Sequence, residues 1–263
     1  MIENITAVAA DGTACGARAK GNGARALVFV HGVGSTAAIW DRQLEAFGDR
    51  YRAVAIELRG NGVPKPEPDP ARITRAGYAA DVVAVMDALS IERATIVGCS
   101  LGGVVAFELW QRAPERIESM VIVGSFAAYP NAAAYAAGIC EAASAAGSME
   151  AFAAQRAPKL GLPPERLRET VEQMACKSLP SYLAATQATW TGDYSALLPS
   201  IGVPVLVTCG ERDAIAPPEL SRAIAAGIPG ALMELVPDAG HVANADNPAA
   251  FNALLKDFLS AGR

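Results

Sequence analysis

The chain has 263 residues, 52% hydrophobic and 19% charged, which provides for one large core and argues against a disordered or multidomain protein. Its formal net charge is −5 and it has no block of Lys or Arg, so we expect no nucleic-acid partner. Two histidines and five widely spaced cysteines exclude a three-histidine metal centre, and we expect no metal, no cofactor and no disulfide framework.

The first residues of the chain and its apolar stretches indicate where in the cell to expect the protein. No basic segment followed by an apolar run opens the sequence, and the Ala-rich stretch 132–146 is too short to cross a bilayer. The sequence therefore predicts a cytoplasmic monomer or homodimer without a membrane partner.

Apolar runs alternate with helical patterns along most of the chain, which is typical of a parallel sheet covered by helices. Two short segments around Asp11-Gly12 predict an antiparallel hairpin ahead of them. Because the later runs are almost wholly apolar, we expect these strands to be buried on both faces. The predicted strands are 26–30, 53–56, 94–97, 120–123, 205–209 and 232–236, and the predicted helices are 39–47, 73–89, 101–113, 218–226 and 248–259.

The segment 125–200 interrupts this alternation. It shows no strand pattern, only Ala-rich helical stretches punctuated by prolines, and the sheet pattern resumes at residue 201. The sequence predicts an α/β fold with a mostly parallel eight-stranded sheet, a core of residues 1–124 and 201–263, and a helical cap of residues 125–200 inserted in that core.

The segment Gly98-Cys-Ser-Leu-Gly-Gly103 lies between a predicted strand and a predicted helix, and it fits the pattern G-x-S-x-G. A sharp turn from strand to helix strains the residue at its apex and requires small neighbours two positions away, which Gly98 and Gly102 supply. Such a turn exposes the apex hydroxyl and directs the next backbone N–H toward the same space. Ser100 is therefore the candidate nucleophile and Leu101 the first candidate oxyanion donor.

A serine nucleophile needs a base within hydrogen-bond reach, and a buried carboxylate that holds the base in one tautomer. Only His31, after the strand 26–30, and His241, after the strand 232–236, can be the base. The loop that follows the strand 205–209 offers Glu211 and Asp213 as the acid. The N–H of Val33, in the glycine-rich loop after residue 30, is the candidate second oxyanion donor.

Five segments together resemble the α/β-hydrolase superfamily: 30–36, 57–62, 98–103, 210–213 and 240–241. The segments 87–93, 228–231 and 241–248 are similar to those of the 3-oxoadipate enol-lactonase group and its carboxylesterase relatives. The resemblance implies the α/β-hydrolase fold and a catalytic triad of Ser100, Asp213 and His241. It places His31 as a support of the oxyanion loop.

We therefore expect a serine hydrolase that cleaves a small-molecule ester or lactone through an acyl-enzyme. Aromatic cap residues Phe126, Tyr129 and Trp190 are predicted to line an apolar pocket above Ser100. Because the cap sequence shows no obvious basic cluster, we expect a largely apolar substrate. The alternatives are a C–C bond hydrolase or perhydrolase with the same triad, and a ligand receptor with negligible turnover.

Overall fold

The computed structural model describes residues 1–61, 67–160, 162 and 164–261 of the chain. In these residues eight strands form one sheet. The strands are β1 (Glu3–Val8), β2 (Ala14–Lys20), β3 (Ala26–Val30), β4 (Arg52–Glu57), β5 (Ala94–Cys99), β6 (Ile117–Val123), β7 (Val205–Gly210) and β8 (Leu232–Val236).

The strand order across the sheet is β1-β2-β4-β3-β5-β6-β7-β8. β2 pairs antiparallel with both β1 and β4, and the remaining pairs are parallel. The predicted mostly parallel eight-stranded sheet and its opening hairpin are thereby confirmed. Because β3 to β8 run in the same direction, their carboxyl ends meet at one edge, and the loops that leave this edge are brought together.

Helices cover both faces of the sheet. Ten α-helices occur in the described residues: α1 (Asp41–Phe47), α2 (Arg75–Ala88), α3 (Leu101–Arg112), α4 (Ala132–Ala145), α5 (Met149–Arg156), α6 (Pro164–Ala175), α7 (Leu179–Trp190), α8 (Pro218–Gly227), α9 (Ala243–Asp246) and α10 (Pro248–Ser260). The five helices predicted outside the cap are found as α1, α2, α3, α8 and α10. The first predicted helix, 39–47, begins only at Asp41, because residues 39 and 40 belong to a separate 3-10 turn, Ala37–Trp40.

Successive residues of a strand point to opposite faces, and β3 shows this clearly. Leu27 and Phe29 belong to a hydrophobic cluster with residues of α1 and α10, whereas Val28 and Val30 belong to a cluster with residues of α2, α3 and α8. Both clusters are continuous and buried, so the central strands are apolar on both faces, as predicted.

The prediction of two buried faces is wrong for β8. Its first four residues alternate between exposed and partly exposed, with Leu232 at 37% exposure, and only Val236 is buried. β8 is the last strand of the sheet and pairs only with β7 among the described strands. An edge position leaves one side of a strand open to solvent, and an apolar run alone does not distinguish an edge strand from a central one.

The chain between β6 and β7 holds four helices, α4 to α7, and no strand of the sheet in its described residues. Aromatic side chains of this segment, including Phe126, Tyr182 and Trp190, belong to the same buried cluster as Val30 and Val104 of the core. The division into a core and a cap at residues 125–200 stays a prediction, since packing against the core does not show that the segment is a unit. No helix within the described ranges is long and apolar enough to span a membrane.

Candidate active site

Ser100 lies at a strained turn between β5 and α3. Its φ and ψ angles are +54° and −115°, a conformation that residues other than glycine rarely adopt. A Cβ atom at Gly98 would lie 2.2 Å from the Gly102 carbonyl oxygen, and one at Gly102 would lie 2.1 Å from that of Val30. The turn therefore requires glycine at both positions, which is the physical content of the G-x-S-x-G pattern.

A chain of hydrogen-bonding groups joins Ser100, His241 and Asp213. The Nε2 atom of His241 lies 3.1 Å from the Ser100 Oγ, and its Nδ1 atom lies 2.9 and 3.0 Å from the two Asp213 carboxylate oxygens. A carboxylate accepts only, so Nδ1 carries the proton and Nε2 is free to accept the serine hydroxyl. The three side chains come from loops after β5, β7 and β8, and all three residues are buried. The geometry is that of a nucleophile, a base and an orienting acid, and their catalytic roles stay a prediction.

The carboxylate of Asp213 is fixed by more than His241. Its Oδ1 atom accepts from the backbone N–H groups of Ile215 and Ala216, each at 2.9 Å. Glu211, the other carboxylate of this loop, is exposed and its Oε2 atom accepts from the backbone N–H of Asp238. The structure therefore brings Asp213 to His241 and directs Glu211 elsewhere.

Gly124, after β6, leaves room for this arrangement. Its φ angle is +50°, and a Cβ atom there would lie 3.0 Å from the Asp213 Oδ2 and 3.0 Å from the His241 carbonyl oxygen. A larger residue would push the acid and the base apart. The requirement for glycine at this point is visible only in the folded chain.

The loop after β3 passes directly beside the nucleophile. A Cβ atom at Gly32 would lie 3.2 Å from the Ser100 Cβ, and Val33 and Ser100 line the same cavity. Leu101 is the first residue of α3, where backbone N–H groups have no partner within the helix. The loop and the helix start thus approach Ser100 from two sides, and the assignment of Val33 and Leu101 as oxyanion donors stays a prediction.

His31 is buried and does not reach Ser100. Its Nδ1 donates to the Gly32 carbonyl oxygen at 2.8 Å, and its Nε2 accepts from the Leu58 N–H at 3.2 Å and lies 3.3 Å from Glu57 Oε1. The ring therefore joins the loop after β3 to the end of β4. Gly62, the last residue of the 57–62 motif, lies outside the described residues.

The Ser100 hydroxyl faces a small cavity of about 50 Å³, room for a few water molecules. The core side of this cavity is formed by the loop after β3, Ile215 and Val242. The cap side is formed by Arg156, Leu160, Arg166, Thr170, Gln173, Met174, Tyr182 and Trp190.

Of the three predicted pocket residues, only Trp190 lines the cavity. Phe126 stacks on Trp190 with ring centroids 5.0 Å apart, and Tyr129 contacts the same indole edge-on at 4.6 Å. The Tyr129 hydroxyl donates to the carbonyl oxygen of Ile215 at 2.9 Å. Phe126 and Tyr129 therefore do not line this cavity, because both pack against Trp190 from behind. That they contact substrate stays a prediction.

Two arginines of the cap line the cavity, although the cap sequence shows no obvious basic cluster. Arg156 ends α5, and Arg166 belongs to a face of α6 that also presents Thr170 and Gln173. Residues four and three apart share one face of a helix, so this spacing is the signal that could have revealed the polar side. The arginines are ten residues apart in sequence and converge only in the folded cap.

Burial changes the acid–base properties of two groups near the triad. It raises the pKa of Asp246 to about 6, against the weaker effect of the hydrogen bond from the Gly240 N–H. It also raises the pKa of the Cys99 thiol beside Ser100, which leaves that thiol protonated and unreactive at neutral pH.

In the part of the chain that the structure describes, no three His, Cys, Asp or Glu residues are grouped to hold a metal ion.

The fold and the arrangement of these site residues are those of a known class of protein, the α/β hydrolases. The family model described as "Alpha/beta hydrolase family" matches residues 27–254, and the chain belongs to this family.

Several relatives of this chain are named as hydrolases. The chain is 28% identical over 243 residues to 3-oxoadipate enol-lactonase 2 of Acinetobacter baylyi, with 89% of each protein covered. It is 30% identical over 242 residues to a putative carbamate hydrolase, RutD, of Azorhizobium caulinodans, covering 88% of this chain and 90% of that protein. The crystal structure of the carboxylesterase CesB (YbfK) from Bacillus subtilis superposes with a TM-score of 0.83 at 26% identity, covering 100% of this chain and 93% of that one. The resemblance to the α/β-hydrolase superfamily, with lactonase-like members, is thus confirmed.

Proposed function

We propose that the protein is a serine hydrolase that cleaves a carboxylic ester or lactone through an acyl-enzyme. The observation that carries this proposal is the unbroken chain from Asp213 through His241 to the Ser100 hydroxyl at the floor of the cavity. The family membership and the lactonase and carboxylesterase relatives support it.

In the first half of the reaction the neutral His241 ring removes the proton of Ser100 while the Oγ atom attacks the substrate carbonyl carbon. The buried Asp213 carboxylate stabilises the imidazolium that forms. The carbonyl oxygen becomes an oxyanion and accepts hydrogen bonds from the N–H groups of Val33 and Leu101. Removing one such donor costs about 3 to 4 kcal/mol of transition-state stabilisation in enzymes where this has been measured.

The tetrahedral intermediate then collapses: the bond to the leaving alkoxide breaks, the imidazolium gives that oxygen its proton, and the carbonyl group is restored as an ester of Ser100. A water molecule then takes the place of the leaving group. His241 removes a proton from the water as its oxygen attacks the acyl carbon, and the acyl–Oγ bond breaks while the imidazolium returns the proton to Oγ, which releases the acid and restores the Ser100 hydroxyl. For a lactone the alkoxide stays attached to the acyl group, so a single hydroxy acid is released.

The test compares Ser100→Ala with Ser144→Ala, which alters an exposed serine of α4. We expect S100A to lower kcat on para-nitrophenyl butyrate about a thousandfold or more, and S144A to leave it unchanged. A fluorophosphonate probe should label the parent protein and S144A but not S100A. Unchanged ester hydrolysis in purified S100A would refute the proposal.

A further inference from the structure

Two guanidinium groups face the cavity from the cap. Arg156 and Arg166 line it together with Ser100 and His241, so a molecule that reaches the nucleophile passes within the field of both cations. The remaining cap lining is apolar at Leu160, Met174 and Trp190, and it also contains Tyr182, Thr170 and Gln173. Positive charge in a partly apolar pocket is costly unless an anion or hydrogen bonds offset it.

Of the two arginines, Arg156 is the one without an ion pair among the described residues. It is half-buried, and its side chain interacts with the Tyr182 hydroxyl through its charge and a hydrogen bond. Burial raises the pKa of that hydroxyl, and both interactions with Arg156 lower it against this larger effect. A guanidinium carries five N–H donors in a planar fork, and a carboxylate is the group that matches this fork.

Arg166 is only partly neutralised. Its Nη1 donates to Glu169 Oε2 at 2.6 Å, but its Nε is buried and has no hydrogen-bond partner among the described residues. The arginine side chain is 16% exposed and Glu169 46% exposed, so the carboxylate lies on the solvent side of this pair. A buried N–H group without a partner beside the cavity can donate a hydrogen bond to an oxygen atom of a ligand.

The face of α6 that carries Arg166 is fixed against the core. Glu169 Oε1 accepts from Gln173 Nε2 at 3.1 Å, and Gln173 Oε1 accepts from Ser35 Oγ at 3.2 Å. Ser35 belongs to the loop after β3 that passes beside Ser100. The cation is therefore positioned relative to the nucleophile by a connected set of hydrogen bonds.

We infer that the substrate carries a free carboxylate, apart from the ester or lactone carbonyl, and that Arg156 binds it with Arg166 contributing. Glu169 offsets one of the two positive charges, which leaves a net charge that one carboxylate would balance. This inference rests on the proposed function, because it assigns the substrate class of the same site. Both arginines are specificity-determining residues in this scheme and take no part in the bond changes at Ser100.

The test uses two para-nitrophenyl esters of similar length, the mono-ester of glutaric acid, which is an anion, and the neutral ester of pentanoic acid. The measured quantity is the ratio of their kcat/KM values after subtraction of spontaneous hydrolysis. We expect Arg156→Met to lower this anion-to-neutral ratio about 10- to 100-fold, the loss of one charge-assisted interaction, and Arg156→Lys to lower it less. Because the quantity is a ratio, partial misfolding of a variant does not change it.

Lys159→Met is the matched control, since Lys159 carries the same charge three residues along the chain but is exposed and does not line the cavity. We expect it to leave the ratio within about twofold of the parent value. A ratio that R156M and K159M change equally would overturn the inference and leave the proposed function standing. Failure of the parent protein to hydrolyse either ester would overturn the proposed function instead.

Discussion

Asp213→Asn tests the proposed role of the acid most directly, because the structure specifies how the replacement would sit. The Asp213 Oδ1 atom accepts from the N–H groups of Ile215 and Ala216 as well as contacting His241. An asparagine keeps these two backbone hydrogen bonds only if its amide oxygen takes the place of Oδ1. Its NH₂ group then faces the Nδ1 atom of His241.

That orientation reverses the histidine tautomer. An NH₂ group donates, so Nδ1 must accept and the ring proton moves to Nε2, the atom that lies 3.1 Å from the Ser100 hydroxyl. A protonated Nε2 cannot accept the serine proton. We expect kcat on para-nitrophenyl butyrate to fall about 10⁴-fold, the effect of the equivalent wrong tautomer in a serine hydrolase of another fold.

The same variant should remain folded. Two hydrogen bonds to a charged acceptor become hydrogen bonds to a neutral one, a loss of about 1 to 2 kcal/mol in the free energy of unfolding, and a shift of a few degrees in Tm. Glu211→Gln is the control, since Glu211 lies on the same loop, is exposed and does not contact His241. A D213N enzyme within about tenfold of the parent kcat, or an E211Q enzyme with an equal loss, would refute the assignment of the acid.

Two further predictions concern stability. Trp190 is 1% exposed and contacts three aromatic rings, so Trp190→Ala should lower the free energy of unfolding by about 3 to 5 kcal/mol in urea titrations; a loss below about 1 kcal/mol would contradict this packing. Asp246 has its pKa raised from the ordinary 3.8 to about 6, so the native state binds the proton more tightly and stability falls as the pH rises through this window. Asp246→Asn should lack this fall when Tm is measured from acid to neutral pH, and an identical pH profile would refute the burial of the charge.

Much of the fold could be predicted because its signals are local. A buried parallel strand needs an unbroken apolar run, a helix on a sheet needs apolar residues at three- and four-residue spacing, and both patterns are visible in the sequence. Whether a strand lies at the edge is a property of the whole sheet. β8 therefore has the sequence of a buried strand but the exposure of an edge strand.

The positions of Ser100, Asp213 and His241 could be predicted for a similar reason. Each follows a strand by a few residues, and parallel strands bring their carboxyl ends to one edge of the sheet. The choice between Asp213 and Glu211 and the choice between His241 and His31 required the resemblance to the superfamily. In the structure the two backbone N–H groups that bind Asp213 make the first of these choices, and no residue type encodes them.

The sequence could not predict which side chains of the cap line the cavity, because the direction in which a helix face points is set by packing between helices. Phe126 and Tyr129 contact Trp190 and not the cavity, although their aromatic character suits either position. The polar face of α6 points inward because Gln173 is hydrogen-bonded to Ser35.

Ser35 is two residues from Val33, the proposed oxyanion donor, so the helix that carries Arg166 is anchored on the loop that would stabilise the oxyanion. Met174, next on α6, approaches the same loop, since a Cβ atom at Gly34 would lie 3.1 Å from its Cε. A side chain at residue 34 would therefore require the Met174 side chain to shift by a few tenths of an ångström, and the φ angle of +76° at this position would strain it. Under the proposed function, Arg166 would contribute to substrate recognition and the Val33 N–H would stabilise the oxyanion, and both are supported by the hydrogen bond between Gln173 and Ser35. We therefore expect Gln173→Leu, which removes this hydrogen bond, to change both KM and kcat on para-nitrophenyl butyrate; a change in KM alone would contradict this coupling.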